Sequence, residues 1–352
     1  MSCPNCSSMA PIQDEGWLLF QASQPAALEK LHTLRVQEQL ELEHKDSRFS
    51  LGYRTKDQLL QVLNVLQSRL SAEEQESLLL DIQEPGRPEW IHGHALTFRQ
   101  FNARMQQSNI VSLILEGQFT SHMQPIVDMA TQQVVAYEFL LRAAEGGPSF
   151  RPFELFAVAQ QTGLHSFLDR SARISAIQVS ALHLPKGYKR FVNFLPSSIY
   201  NPNYCLSHTF QAINRFSLDP GDFVFEVVET EKIEDIDHLK NIFAVYRQHG
   251  VKVALDDVGS GFSTVDVLSE LKPDFVKIDR GLVDRCDEDE AKQRKIAEIL
   301  RTADSFGAVV LAEGMERKEE WQFCKDLGID LAQGYLLGKP APKRMDPEQI
   351  AI

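Results

Sequence analysis

The sequence predicts an α/β chain, a (β/α)8 barrel preceded by a small α+β unit, and three observations carry that reading. Short β-branched or aromatic runs alternate with longer helical stretches over about 240 residues, a pattern that fits a barrel. No glycine-rich dinucleotide fingerprint follows any of those runs, which argues against an open nucleotide-binding sheet. Before residue 110 the pattern is different, which sets residues 1–110 apart from 111–352.

In the N-terminal part, WLLF (Trp17–Phe20) and FSLGY (Phe49–Tyr53) read as short strands. A helix is expected near Ala26–Glu43 and another over Lys56–Arg69, where Leu59, Leu60, Val62, Leu63, Val65 and Leu66 form an apolar stripe. The leucine-rich stretch Lys56–Leu80 admits a dimer helix, although such a stripe is more often plain core. Pro and Gly in EPGRPEW (Glu84–Trp90) mark a loop, and a linking helix is expected around Phe98–Gln107. No motif names this region. Its place before the second domain suggests a regulatory or sensory role, on arrangement alone.

The barrel strands are expected at His122–Asp128, Val134–Arg142, Arg190–Leu195, Phe223–Glu229, Val251–Val258, Asp274–Asp279, Ala308–Gly314 and Leu331–Gly338. Helical stretches separate most of them, including Ile236–His249, Glu288–Phe306 and Lys318–Leu327. In six of the runs a polar residue lies within or at the end: Glu138, Asn193, Glu226 with Glu229, Asp256 with Asp257, Lys277 with Asp279, and Glu313. A carboxylate inside a buried strand is costly unless paired or ligated. In a barrel the C-terminal strand ends share one mouth, and carboxylates meeting there could not all stay ionised alone. Divalent cations resolve that conflict, and oxygen ligands without His or Cys point to Mg²⁺ or Mn²⁺. Any single acid read this way has a bland alternative, a surface residue or half an ion pair. The recurrence at strand ends is what carries the inference.

These residues fall in an order that resembles the EAL family of cyclic-di-GMP phosphodiesterases over about Ser112–Pro342. The matching segments are QPIVD (Gln124–Asp128), YEFLLR (Tyr137–Arg142), VNFLP (Val192–Pro196), FEVVE (Phe225–Glu229), DDVGSGFS (Asp256–Ser263), PDFVKID (Pro273–Asp279), LAEGME (Leu311–Glu316) and QGYLLGKP (Gln333–Pro340). The resemblance implies a TIM-like barrel with one strand reversed at its start. It implies a two-metal hydrolysis of cyclic di-GMP to the linear dinucleotide pGpG. Glu138, Asn193, Glu226 and Asp256 would hold the first Mg²⁺ or Mn²⁺. Asp256, Asp257 and Glu313 would hold the second, with Asp256 bridging. Lys277 would stand beside the attacking water. Gln124, Arg142 and Gln333 would bind substrate, Arg142 through its planar donor fork. Glu229 would brace the loop after Asp257. A homodimer through the barrel face near that loop is also implied.

Departures from the family pattern leave the chemical side chains in place. Phe139 stands where Ala is usual in the signature tripeptide, and alternation along a strand should turn it away from the metals. Val258 replaces an aromatic residue, Ser260 keeps a hydroxyl, Gly259 and Gly261 keep the turn possible, and Leu195 replaces a small polar residue. An active enzyme is therefore expected, and a non-hydrolysing cyclic-di-GMP receptor, a scaffold, and a metal phosphodiesterase for another nucleotide are its rivals.

Composition bounds the partners. The chain has 352 residues, with 36 Lys or Arg against 49 Asp or Glu, a formal net charge of −13. An acidic surface argues against long nucleic acid, whose phosphates need a basic face. No apolar run approaches the roughly 20 residues of a membrane helix. MSCPNCSSMAP does not read as a secretory signal, so a cytoplasmic protein is expected. Five cysteines are too few for a disulfide framework. Cys3 and Cys6 form half of a zinc knuckle that His92 and His94 could complete, although a free-thiol terminus is the plainer reading. Cys205, Cys286 and Cys324 read as packing residues.

Overall fold

The computed structural model describes residues 12–22, 24–38, 40–45, 48–86, 95–227, 235–260 and 264–345. They fall into two compact units, residues 1–117 with 151–168 and residues 118–150 with 169–352. In the first, β1 (Gly16–Ala22), β2 (Glu43–Lys45), β3 (Arg48–Tyr53), β4 (Leu78–Gln83) and β5 (Leu96–Thr97) form an antiparallel sheet in the order β2-β3-β1-β4-β5. Alternation makes one face of it apolar. Leu18 and Phe20 on β1 lie opposite Leu51 and Phe49 on β3, and all four are buried. Leu31 and Leu34 of the helix Pro25–Gln37 complete that core with Leu59, Leu63 and Leu66 of the helix Lys56–Arg69.

The leucine-rich stretch Lys56–Leu80 is not a single helix. It breaks after Arg69, where Ser71 accepts from Glu74 N and Glu74 Oε2 accepts from Ser71 N, a reciprocal cap that starts the short helix Ala72–Ser77. Leu78 and Leu80 then enter β4 and face the core. The first helix also stops earlier than its periodicity suggests, at Gln37 rather than Glu43.

The second unit is a closed barrel of β6 (Phe119–Asp128), β7 (Val134–Ala143), β8 (Lys189–Phe194), β9 (Phe223–Val227), β10 (Lys252–Val258), β11 (Phe275–Ile278), β12 (Val309–Ala312) and β13 (Leu331–Ala332). β6 runs antiparallel to both of its neighbours, β7 and β13, and every other pair is parallel. This is the TIM-like barrel with one reversed strand that the sequence implied. Ile126, Ala136, Phe191, Val224, Ala254, Phe275, Leu311 and Leu331, one from each strand, pack together as the floor of its interior. The alternate residues, such as Phe139, Phe225, Val253, Val276 and Val310, pack outward in the larger core beneath the surrounding helices.

β13 pairs over two residues only, although a run to Gly338 was expected. Past Ala332 the chain docks on the segment after β12. Gln333 N donates to Ala312 O, Met315 N to Gln333 O, and Leu336 N to Met315 O. Gly334 sits so close to Met315 that a Cβ there would overlap its backbone. Gly314 is built just as closely, at φ 66, with the Arg280 side chain where a Cβ would stand.

Gly334→Ala is therefore expected to destabilise the protein by about 2 kcal/mol, because backbone cannot rotate aside as a side chain does. Thermal unfolding measures this. A midpoint equal to that of the parent would show that the two segments tolerate separation.

Candidate active site

The site follows from the floor by counting. Two residues along each parallel strand toward the mouth, and two back on the reversed β6, the inward positions are Gln124, Glu138, Asn193, Glu226, Asp256, Lys277, Glu313 and Gln333. Side chains on a strand alternate, so the next inward residue is always two away. An apolar layer is thus capped by a layer that is polar on all eight strands.

Lys277 sits at the centre of that layer and is 1% exposed. Its Nζ lies 2.7 Å from Glu313 Oε1, 2.8 Å from Glu226 Oε2, 2.9 Å from Asp256 Oδ1 and 3.8 Å from Glu138 Oε1. A ring of amides completes the layer. Asn193 Nδ2 donates to Glu138 Oε1 at 3.1 Å, and Gln333 Nε2 donates to Glu138 Oε2 at 2.6 Å and to Gln124 Oε1 at 3.0 Å. Gln124 Nε2 donates to Gly338 O.

Burial opposes charge on every one of these groups. It pushes the Glu226 carboxyl well up, with Glu138 and Asp256 adding to the effect. Glu313 is raised in the same way, by burial and by Asp256. Asp256 is also raised, by burial and then Glu138, although Lys277 works against it. Glu138 goes the other way. Burial pushes it up, but Lys277 and the donors around it prevail and hold it below the ordinary carboxylate range. Burial likewise works against the Lys277 ammonium, yet Asp256, Glu138, Glu226 and Glu313 outweigh it and keep it firmly protonated.

Asp257 reaches the site by a different route. The β10–β11 register slips by one residue between Leu255 and Val258, and Asp257 has φ 52. The bulge and the left-handed backbone put two consecutive carboxylates at one mouth, which plain alternation forbids. Asp257 N donates to Asp256 Oδ1 at 3.0 Å, and Ser260 N and Oγ both donate to Asp257 O.

One carboxylate oxygen from each of Asp256, Asp257 and Glu313 lies within 4.8 Å of the other two, a spacing that could hold one metal ion. The oxygen-only donor set suits a hard divalent cation. The other expected group, Glu138, Asn193, Glu226 and Asp256, is gathered around or beside the Lys277 ammonium. An ion placed among them needs Lys277 to withdraw. Both Glu226 oxygens are buried without a directed hydrogen-bond donor, Oε2 meeting Lys277 only as an ion pair, and Gln333 Oε1 is likewise unpartnered. Five carboxylates against one ammonium leave four formal negative charges, which two divalent ions would neutralise.

Arg142 lies apart from the cluster, four residues beyond Glu138 on β7, with Nη1 on the carbonyl of Leu141. Glu229, Cys3, Cys6, His92 and His94 lie outside the described residues. One support gave no sequence signal. Buried Asp169 accepts from Leu195 N at 3.0 Å, Ser198 Oγ at 2.6 Å and Arg173 Nε at 3.1 Å, fixing the chain just after Asn193. Nothing in its neighbourhood distinguishes that aspartate from a surface residue of a helix.

A family model described as the EAL domain matches residues 105–340. A standalone EAL protein from Vibrio cholerae O395, solved with cyclic di-GMP bound, is 31% identical, with a TM-score of 0.58 over 64% of this chain and 93% of that one. PdeF of Escherichia coli K12, a cyclic di-GMP phosphodiesterase, is 26% identical over 69% of this chain and 33% of its own length. BlrP1 of Klebsiella pneumoniae, solved with manganese and cyclic di-GMP, is 22% identical, with a TM-score of 0.58 over 93% of this chain and 96% of that one, a likeness of fold. The chain spans between 29% and 55% of the length of the first four curated relatives it matches. Among the described residues, no helix is long and apolar enough to cross a membrane.

Lys277→Met leaves buried Glu138, Glu226 and Asp256 and half-buried Glu313 without a counter-ion. In metal-free buffer it should lower stability by about 3 kcal/mol. Added Mn²⁺ should recover more of the unfolding midpoint in the variant than in the parent. An unchanged midpoint without metal would refute the central place given to this ammonium.

Proposed function

The chain belongs to the EAL domain family, and from that premise we propose that it hydrolyses one phosphodiester of cyclic di-GMP, giving linear pGpG, with two Mg²⁺ or Mn²⁺ ions. One observation supports this above the rest: a barrel mouth where Glu138, Glu226, Asp256, Asp257 and Glu313 converge with Lys277 as the one compensating ammonium among the described residues. Such a cluster is poorly stable alone and well matched to divalent cations.

In this reading Asp256, Asp257 and Glu313 would hold one ion, and Glu138, Asn193, Glu226 and Asp256 would hold the other, with Asp256 serving both. Bound there, the ions supply a water acidified toward neutral pH and positive charge for the phosphoryl oxygens. The protein supplies the rest. Gln333 orients Glu138 and Gln124 at once, which sets the wall against which the nucleotide lies. Lys277, drawn back from the carboxylates, directs its ammonium toward the attacking water and the developing phosphoryl charge. Arg142, at the outer end of β7, swings from the Leu141 carbonyl to a phosphate oxygen. The first unit would be a regulatory or sensory region, and the barrel a cytoplasmic homodimer. Mass by light scattering with and without ion and nucleotide tests the association.

Purified protein incubated with cyclic di-GMP and Mn²⁺ or Mg²⁺ should yield linear pGpG, and a chelator should stop the reaction. Asp256→Asn replaces a charged ligand of both ion sites with a neutral amide and should lower turnover at least about 100-fold with the fold intact. Retained turnover in Asp256→Asn would refute the shared-ligand assignment. Nucleotide that binds unchanged in the parent protein would favour a receptor, and no binding at all would favour a scaffold.

A further inference from the structure

Away from the carboxylate cluster, two thiols meet. Cys286 lies between the helices Arg280–Val283 and Glu290–Asp304, downstream of β11. Cys324 lies in the helix Lys318–Leu327, downstream of β12. Their Sγ atoms are 4.0 Å apart, and both residues are fully buried. A disulfide needs roughly 2 Å, so each sulfur has about 1 Å to travel.

The two segments are already fastened together around that contact. Glu320, 1% exposed, accepts from Arg285 N at 3.0 Å through Oε1. Its Oε2 accepts from Glu316 N at 3.0 Å and Arg317 N at 2.9 Å. The Arg317 guanidinium grips Asp287 with two hydrogen bonds, at 3.0 and 3.2 Å, and reaches Glu288 at 3.1 Å. The residues flanking Cys286 are therefore tied to the residues leading into the Cys324 helix. That fastening holds the two backbone segments together while the sulfurs close the remaining distance.

We propose that Cys286 and Cys324 form a dithiol that hydrogen peroxide converts to a disulfide, a covalent brace between the segments that follow the Lys277 and Glu313 strands. The Cys286 sulfur attacks one peroxide oxygen, the O–O bond breaks, and the departing hydroxide takes up the Cys286 proton as water. Cys286 is left as a sulfenic acid. The Cys324 sulfur then displaces that hydroxyl, the S–S bond forms, and the Cys324 proton leaves with the hydroxyl as a second water. Two thiols and one peroxide give one disulfide and two waters. The order of attack follows from position, since Cys286 lies in a short connector and Cys324 inside a helix, and the contact with Cys324 holds the Cys286 thiol below its usual range. Exposed Asp284, Arg285 and Glu288 surround Cys286 in its connector, which makes that side the route of entry.

The test uses the full chain, reduced and then treated with a small excess of hydrogen peroxide. Peptide mapping under non-reducing conditions should find the Cys286 and Cys324 peptides joined, two hydrogens lighter, and released by a dithiol reductant. Cys324→Ala should instead accumulate a sulfenic acid at Cys286 that a cyclic dione traps. Oxidation of the parent should raise its unfolding midpoint by about 2 °C or more, since the bond closes a loop of 38 residues. Free thiols at both positions after treatment, in protein that stays folded, would overturn the proposal. So would a disulfide joining either one to Cys205 or to the N-terminal cysteines. The mapping reads no enzymatic activity, so it stands apart from the proposed hydrolysis.

Discussion

The period of two along a strand, inside a barrel too narrow for anything but side chains, governs this site. Each strand can place only one residue at each level of the interior. With the floor set at Ile126, Ala136, Phe191, Val224, Ala254, Phe275, Leu311 and Leu331, the next level is decided for all eight strands at once. A slip of one residue in any strand would turn its site residue out into the helical layer. The floor therefore does more than fill space. It holds the register that aims Gln124, Glu138, Asn193, Glu226, Asp256, Lys277, Glu313 and Gln333 at one point, and it keeps water from approaching them from below.

Electrostatics then sets the character of that level. Four carboxylates and one ammonium share a volume from which most solvent is excluded. Lys277 stands where a cation is required, so the metal-free protein meets part of the demand from its own sequence. It cannot meet all of it, as the upward shifts of Glu226 and Glu313 show. The net charge of −13 gains a local meaning here. Part of it is concentrated at one mouth, where divalent ions would convert a repulsive surface into one that accepts a phosphodiester.

Much of the second unit was legible because strand-end acids are rare without a reason, and six apolar runs carried a polar residue within or at the end. Glu138, Asn193, Glu226, Asp256, Lys277 and Glu313 could be picked out this way one by one. Gln124 and Gln333 were found only through the family pattern, since Gln124 lies inside the reversed strand rather than at a mouth-side strand end and Gln333 lies past the two residues of β13. The single reversed strand came from the same source, because reversal leaves no trace in composition. Lys56–Leu80 shows the opposite limit. Leucine serves helix and strand alike, and a cap at Ser71, with its partner three residues on, decided where one gave way to the other. Asp169 and the Cys286–Cys324 contact were invisible for a third reason: each depends on a neighbour far off in the chain.

Asp257 is where local rules and the site conflict. Alternation makes Asp256 and Asp257 point to opposite faces, and a carboxylate on the outer face would enter the apolar layer beneath the helices. The chain avoids this by adding a residue to β10 and letting Asp257 take a left-handed backbone, a conformation that costs about 1 kcal/mol or more for a residue with a side chain. Glycine at that position would remove the strain and the carboxylate together. Keeping aspartate stores strain beside a repulsive cluster, and neither feature helps the protein fold. Both would become favourable with a cation between Asp256, Asp257 and Glu313, the role proposed for this cluster, and the bulge would then belong to an ion site.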